Sequence, residues 1–435
     1  MIQIKQHQLT GRPVYIIDGA RTPFLKARAK PGPFSSADLG TWACRELLAR
    51  QPFSATEINE VITGCAVASA DETNISRIIA LRAGCGENTP AWTVQRNCAS
   101  GMQALDSAVK DIAIGRCDLV LAGGTDAMSR GPLLYNDAMV QWFAKFFSSK
   151  TLVAKLKTLL AFRPHMLGPV IALLRGLTDP ICGLSMGATA EIVAYDFGVT
   201  REMMDMLSLQ SHQRLAKAQA EKVLNEIITI YDTKGNVYHK DDGVRPDTTL
   251  EKLASLKPAY DKPFGAVTAG NSSQVTDGAA FLILASEEAL QKYQLQPLAK
   301  IIDVHWGALS PAIMGLGPVH ACVPLLTRQK LKMSDIDYVE INEAFAAQVL
   351  GCLAAFESAE YCKTHFGIAE PVGTLSQDRL NIDGGAIALG HPIGATGARL
   401  VLHLTDILRR KNARRGMATL CIGGGQGGAM LIEKV

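Results

Sequence analysis

The amino-acid sequence predicts an α/β protein made of two similar halves, mixed sheets layered with helices, with a long segment inserted into the first half. Strand-like and helix-like segments recur in the same order near the two ends of the chain, the mark of an internal duplication. The first copy is then interrupted by a run far longer than an ordinary loop. The bulk agrees: 435 residues, 48% of them hydrophobic, suffice for two or three domain-sized cores.

Each element has its counterpart. The strand candidate VYIIDGA (14–20) is followed by SATEINEVITG, where Ser54 caps the turn before an apolar strand ending at Gly64. The second half answers with LAKIIDVHWGA (298–308) and SDIDYVEINEA, starting at Ser334. Each half then opens a small-residue helix behind a polar residue, NCASGMQALDSAV from Asn97 and GHPIGATGARLVLHL from Gly390. Both helices lead to a strand that runs into glycines, LVLAGGTDAM (119–128) and ATLCIGGGQGGAM (418–430), and each half closes on a similar strand, GAAFLILAS (278–286) and GGAMLIEKV (427–435). Glycine-rich turns look alike in any α/β protein, but four echoes in one order favour duplication. In the second half the last two strands are contiguous, whereas in the first about 150 residues separate them, so an insertion is expected there. The predicted units are 1–130 with 256–292, the inserted subdomain 131–255, and 293–435. Strand-helix alternation puts the active groups at the strand-to-helix turns.

A net charge of +3 argues against a nucleic-acid binder, which would need a strongly basic face. The opening MIQIKQHQLTGRPVYIID lacks the apolar stretch of a secretory signal, so a cytoplasmic protein is expected, with most of its 10 cysteines as free thiols. No pair has CxxC spacing, which speaks against structural zinc, and no run of about 18 apolar residues is present to span a membrane. No GxGxxG opens a helix with an acidic residue about twenty positions on, and HExxH is missing, which leaves a dinucleotide site weakly supported and removes the simplest zinc-protease reading.

Residues 138–178 contain no Asp or Glu, yet carry Lys145, Lys150, Lys155, Lys157, Arg163 and Arg175 among Trp142, Phe143, Phe146, Phe147 and many leucines. Such a stretch suits a membrane surface or a partner, and equally a packed helical hairpin with a solvated basic face.

Three residues stand out chemically. Cys98 lies where a helix should begin, among free backbone N–H groups and the positive end of the helix dipole, both of which favour a thiolate nucleophile. Such a thiol also needs a base nearby. His391 occupies the matching helix mouth of the second half, with Pro392 suited to the first turn, and the pseudo-symmetry brings the two mouths face to face. Cys421, in CIGGGQGGA, precedes glycines that leave backbone N–H groups unobstructed for an oxyanion, so this second thiol suits acid-base work. Asn342 and Glu343, in INEAFAAQ, sit at a strand-to-helix junction, where Asn either holds a water or caps the helix.

The blocks NCASGMQAL, GGTDAMSR, VTAGNSSQVTDGAA, NEAFAAQ, GGAIALGHPIGATGAR and CIGGGQGGA resemble, in order and over essentially the whole chain, the signature blocks of the thiolases. The resemblance implies the thiolase fold, with five-stranded mixed sheets, and assigns roles. Cys98 would be the acylated nucleophile, His391 its base and Cys421 the acid/base for the second substrate. Asn342 would hold a water that polarises the thioester, and the N–H groups of Cys98 and Gly423 would form a second oxyanion hole. The implied reaction is ping-pong thiolysis of 3-ketoacyl-CoA, or the reverse Claisen condensation, with coenzyme A as substrate and no metal or tightly bound cofactor. Leu177, Ser185, Met186, Arg245, Tyr260, Ala269 and Ser273 are the implied CoA contacts, Arg245 for phosphate or adenine, and Met186, Met314 and Phe345 the implied acyl pocket.

Two positions depart from the family's pattern. Biosynthetic members often have His where Ser185 stands, and β subunits of fatty-acid-oxidation complexes, which share a long basic insertion, usually have His in place of Asn342. The resemblance further implies a homodimer or homotetramer, with an α subunit or membrane surface as partner of residues 138–178. The rival readings are a ketoacyl or hydroxymethylglutaryl-CoA synthase, which lack the second cysteine, and an inactive acyl-CoA or lipid carrier.

Overall fold

A computed structural model describes residues 10–28 and 30–435. Its centre is a ten-stranded sheet. Nine of its strands are β1 (Val14–Arg21), β2 (Glu60–Gly64), β3 (Ala91–Val94), β4 (Leu119–Ala127), β5 (Thr276–Ala285), β6 (Ala299–Ala308), β7 (Tyr338–Ile341), β8 (Arg415–Ile422) and β9 (Gln426–Lys434). They lie in the order β7-β8-β9-β6-β1-β5-β4-β2-β3, with the short Leu25–Lys26 strand beside β5.

The duplication is written into this order. In the first half β2 runs parallel to β4, which pairs antiparallel with β5 and then β1. In the second, β7 runs parallel to β8, which pairs antiparallel with β9 and then β6. Even the bulge repeats, between Ile16 and Asp18 of β1 and between Ile301 and Asp303 of β6, at the Ile-Ile-Asp that both strands contain. The two half-sheets meet where β1 pairs antiparallel with β6, Val14 opposite Ile301 and Ile16 opposite Ala299. The fifth strand of the first half, β3, has only a rudiment in the second: a single parallel bridge from Val339 to Leu380, cut short where Asn381 turns away at φ 43°.

Both faces of the sheet are covered, which is why its strands read as near-continuous apolar runs. In β5, Ala280, Leu282 and Leu284 point to one core and Ala279, Phe281 and Ile283 to another. The helices that bear on the site are α1 (Ser36–Ala49), α2 (Ser100–Ala113), α3 (Asp137–Ser148), α4 (Leu152–Leu160), α5 (Met186–Asp196), α6 (Arg201–Ala220), α7 (Gly317–Gln329), α8 (Ala346–Glu357) and α9 (Ile393–Arg410). Helices α2 and α9 share one core with the inner faces of both half-sheets. Their first turns touch through glycine, since a Cβ on Gly101 would lie 2.7 Å from the Gly394 carbonyl oxygen and one on Gly397 2.5 Å from the Met102 nitrogen.

Between β4 and β5, whose residues Ala127 and Asp277 are direct partners, the chain makes its excursion. Helices α3 and α4 form a hairpin closed at its base by a ribbon of Leu133–Tyr135 with Pro169–Ile171. Trp142, Phe143, Phe146 and Phe162 stack inside it, and the Trp142 indole N–H donates to the Thr158 carbonyl at 2.8 Å. Its outer side leaves Val140, Phe147, Leu152, Val153, Leu156 and Leu160 exposed, Phe147 by 76%. Helices α5 and α6, by contrast, bury Val193, Ala194, Met204 and Leu207 in the core of the second half.

A buried ionic chain ties the insertion to both halves. Arg21 of β1 forks onto Asp241 at 2.7 and 2.9 Å and reaches Glu226 at 3.2 Å. Glu226 in turn bonds His403 of α9 at 3.0 Å, and His403 meets Asp383 at 3.2 Å, which Arg410 also holds. No described helix is long and apolar enough to cross a membrane, and the ten cysteines are all free.

Candidate active site

The chain reaches Cys98 through Asn97, which takes a left-handed φ of 44° just before α2 begins at Ser100. That kink is locked by the Ser100 hydroxyl donating to the Asn97 carbonyl at 2.7 Å while accepting from the Arg96 N–H. Asn97 also reaches across to the other half, its amide donating to the Gly423 carbonyl at 2.9 Å. The backbone N–H groups of Gly423 and of Cys98 itself favour the charged form of the Cys98 thiol. A loop of the second half is thereby fastened onto the thiol of the first.

The helix mouth was expected to favour a Cys98 thiolate, and here the structure differs. Burial raises the thiol above its ordinary value, outweighing those two N–H groups, and the Asp126 charge adds to the rise. A protonated thiol at rest needs a base. His391 is buried, and burial followed by the Arg399 charge pushes it down to about 3, so its imidazole is neutral.

The hydrogen bonds of His391 also settle which of its nitrogens is free. Its Nδ1 lies 2.6 Å from the Thr396 hydroxyl, which bonds the Pro392 carbonyl at 2.8 Å. A carbonyl only accepts, so the single hydroxyl proton of Thr396 goes to Pro392 and Nδ1–H donates to Thr396. The lone pair therefore resides on Nε2, a buried atom without a partner among the described residues. The backbone N–H of His391 donates to the Gln274 carbonyl at 3.0 Å, while the Gln274 amide bridges the carbonyls of Gly243, Ile387 and Ala388, fixing the loop.

Asp126, at the end of β4, anchors the α9 mouth from below. Its carboxylate accepts from the N–H groups of Gly394, Ala66 and Val67 and from the Cys65 thiol at 3.3 Å. Burial still pushes it up to about 6. Neither Asp126 nor Thr396 stood out in the sequence, although both lie inside quoted motifs. Their roles depend on which donor meets which acceptor across the fold.

Asn342 follows β7, beside the strand that carries Cys421, its N–H bonded to the Thr419 carbonyl at 3.0 Å. Phe345 occupies the cap position of α8 and no side chain caps that helix, so the capping role open to Asn342 is not the one it plays. Both polar atoms of its fully buried amide lack a protein partner, an arrangement that calls for a water or a substrate oxygen. Glu343 is instead structural, accepting from Ser211 at 2.6 Å, Asn381 at 2.9 Å and the Ile387 N–H. Cys421 is buried; desolvation first, then the nearby Cys98 and Cys352, raise its thiol well above the ordinary range.

Cys98 and His391 open on a cleft with two lobes, whereas Asn342 and Cys421 lie behind its wall and line neither. One, of about 420 Å³, is lined by Cys98, Asn97, Gly423, Val67, Ala172, Leu173 and Asp179. The other, of about 320 Å³, is lined by His391, Phe345, Ser185, Tyr260 and Ser273. Leu177, Thr178, Met186 and Ile393 wall both, so the lobes are neighbours across one partition. A larger open cleft, of about 830 Å³, holds Arg28, Lys30 and Arg130 but none of these chemical groups.

Of the other expected contacts, Arg245 and Ala269 are exposed and off both lobes. Met314 is not on the cleft wall; it is packed in the core of the second half with Val193 and Phe345. Ser185 caps α5, its hydroxyl accepting from the Ala188 N–H at 3.3 Å.

Residues 14–288 match the model described as thiolase, N-terminal domain, and residues 295–434 the thiolase, C-terminal domain. The chain is 39% identical over 432 residues to a β-ketoadipyl-CoA thiolase of Pseudomonas aeruginosa, covering 98% of this chain and 100% of that one. It is 35% identical over 424 residues to the mitochondrial trifunctional enzyme subunit beta of Bos taurus, covering 97% and 88%. Human mitochondrial 3-ketoacyl-CoA thiolase, also solved in complex with CoA, superposes with a TM-score of 0.84 at 34% identity over 98% of this chain and 99% of that one. With both family domains matched end to end, and a fold shared with solved thiolases, the chain belongs to the thiolase family of acyltransferases.

Proposed function

We propose that the chain cleaves 3-ketoacyl-CoA with coenzyme A through an acyl-Cys98 intermediate, and runs the reverse Claisen condensation through the same steps. The single observation that carries this reading is the Gly423 loop fastened beside the Cys98 thiol by the Asn97 amide, next to a lobe where, among the described residues, the Nε2 lone pair of His391 has no partner. His391 takes the Cys98 proton as the sulfur attacks the 3-keto carbon, with the Cys98 and Gly423 N–H groups receiving the oxyanion. The C2–C3 bond then breaks, and the departing acetyl-CoA enolate takes its proton from Cys421 while Asn342 and a water hold its oxygen. Free CoA finally attacks the acyl thioester on Cys98, its proton going to the Cys421 thiolate, and the acyl group leaves as the shortened acyl-CoA while His391 returns its proton to the Cys98 sulfur. Mixing the protein with acetyl-CoA should add one acetyl group to the peptide containing Cys98, as read by mass spectrometry, and none in Cys98→Ala. A Cys421→Ser variant that retains the full thiolytic rate would favour the ketoacyl synthase reading.

The α3–α4 hairpin suggests an anionic lipid surface as its partner. Its exposed apolar side chains stand among Lys145, Lys150, Lys155 and Lys157, and no acidic residue lies between 138 and 178. Co-sedimentation with vesicles containing an anionic lipid, but not with neutral ones, tests this. Capture of an α subunit in place of lipid would redirect it.

A further inference from the structure

The relatives of this chain divide between acyl groups that end in a carboxylate and those named only as 3-ketoacyl. The lobe beside Cys98 distinguishes the two chemistries. Ala66, Val67, Ala68, Pro132, Ala172, Leu173, and beyond them Leu177, Ile181 and Ile393, give it an apolar wall that ends on the reactive sulfur. Among the described residues, no Lys, Arg or His lines it, and its one charged residue is Asp179.

Asp179 is buried, and its Oδ1 accepts from the Ile181 and Cys182 N–H groups at 2.8 and 3.1 Å. Burial works against its charge, but the N–H groups of Cys182, Ile181 and Gly424 outweigh it and hold the carboxyl below its ordinary value. The lobe thus presents a fixed negative charge and no counter-ion. The Arg28, Lys30 and Arg130 cations lie in the separate 830 Å³ cleft, which meets this lobe only at the shared wall of Val67 and Leu173.

From this we infer that the lobe is the acyl-chain subsite and selects 3-ketoacyl-CoAs with an uncharged, extended tail against those with a terminal carboxylate. The inference rests on the thiolase reading proposed above and names its substrate class. A terminal carboxylate entering the lobe loses its water, meets apolar wall and faces Asp179, while the Gln95, Asn97 and Thr178 donors that also line the lobe are already given to the Ala66, Gly423 and Leu174 carbonyls, so no cation repays the desolvation. Each methylene of a neutral tail, by contrast, leaves water for that wall, which is worth roughly fourfold in kcat/KM.

Thiolysis of 3-ketobutanoyl-, 3-ketohexanoyl-, 3-ketooctanoyl- and 3-ketoadipyl-CoA tests the assignment, because the 3-ketohexanoyl and 3-ketoadipyl chains have equal length and differ at the end. The expected result is a kcat/KM that rises about fourfold per methylene along the neutral series. 3-Ketoadipyl-CoA should fall on the order of 100-fold below 3-ketohexanoyl-CoA. Asp179→Asn should narrow that gap about tenfold by removing the repulsion. Equal or faster cleavage of 3-ketoadipyl-CoA overturns the inference, and a gap that Asp179→Asn leaves unchanged overturns the part given to Asp179. Failure of every substrate, with no acetyl group on Cys98 after acetyl-CoA, overturns the thiolase reading beneath it instead.

Discussion

At the residue scale, the proposed site joins two groups that are neutral at rest and that, in the proposed mechanism, become an ion pair only when substrate arrives. Cys98 is raised by burial and His391 is held neutral by burial and Arg399, so alkylation of Cys98 by iodoacetamide should keep accelerating up to and beyond the ordinary thiol value of 9.0. A plateau below pH 8 would reveal a preformed thiolate-imidazolium pair and contradict this. Thr396 sets which nitrogen of His391 is basic. Thr396→Val keeps the shape and removes the acceptor for Nδ1–H, so acetylation of Cys98 should slow about 10- to 100-fold, with Thr396→Ser restoring it and the imidazole nitrogen NMR signals reporting the tautomer. Cys98, His391 and Cys421 were legible in the sequence because thiols and imidazoles at glycine-rich helix mouths are chemically conspicuous. Thr396, Asp126 and Asp179 were not, since each acts through a hydrogen bond whose partner is defined by the fold.

At the element scale, the meeting of α2 and α9 decides whether the two halves of the site coincide. Gly397 lets the α9 backbone press against Met102 at the start of α2, and a methyl group there has no room. Gly397→Ala should cost about 2 kcal/mol in denaturant unfolding and reduce Cys98 acetylation by more than it reduces stability, as the two mouths are pushed apart. An activity loss matching only the fraction unfolded would show that the crossing does not position the chemistry. The paired strands and both helices were readable from the sequence because each has an echo and an apolar run. The joining of the half-sheets through β1 and β6 was not, because an edge pairing of three residues leaves no periodic trace. The shortening of the fifth strand to one bridge was equally hidden, for it turns on the left-handed backbone at Asn381.

At the scale of the whole molecule, the buried chain Arg21–Glu226–His403–Asp383 fastens the insertion to both halves. Burial opposes a charge on His403, but Glu226 and Asp383 overcome it and push the imidazole up to about 10. A raised folded value stabilises fully below the unfolded value of 6.5 and is lost as pH rises through about 10. His403→Gln leaves Glu226 with Arg21 alone and Asp383 with Arg410 alone, and should destabilise by about 3 kcal/mol near neutrality. The melting curves of the two proteins should draw together as pH approaches 10, and a gap independent of pH would mean that His403 acts by packing alone. Charge spacing along the chain gave no warning of this network, whose members lie as far apart as residues 21 and 410.

The ribbon of Leu133–Tyr135 and Pro169–Ile171 also acts as a fulcrum. Its outer arm is the hairpin, and its inner arm runs straight from Ile171 into Ala172 and Leu173, which wall the cavity beside Cys98. The two proposed properties, docking of the hairpin and chain selection at that wall, are therefore predicted to be coupled through this ribbon. Anionic vesicles should change the KM for 3-ketooctanoyl-CoA more than that for 3-ketobutanoyl-CoA, whose short tail stops before that wall.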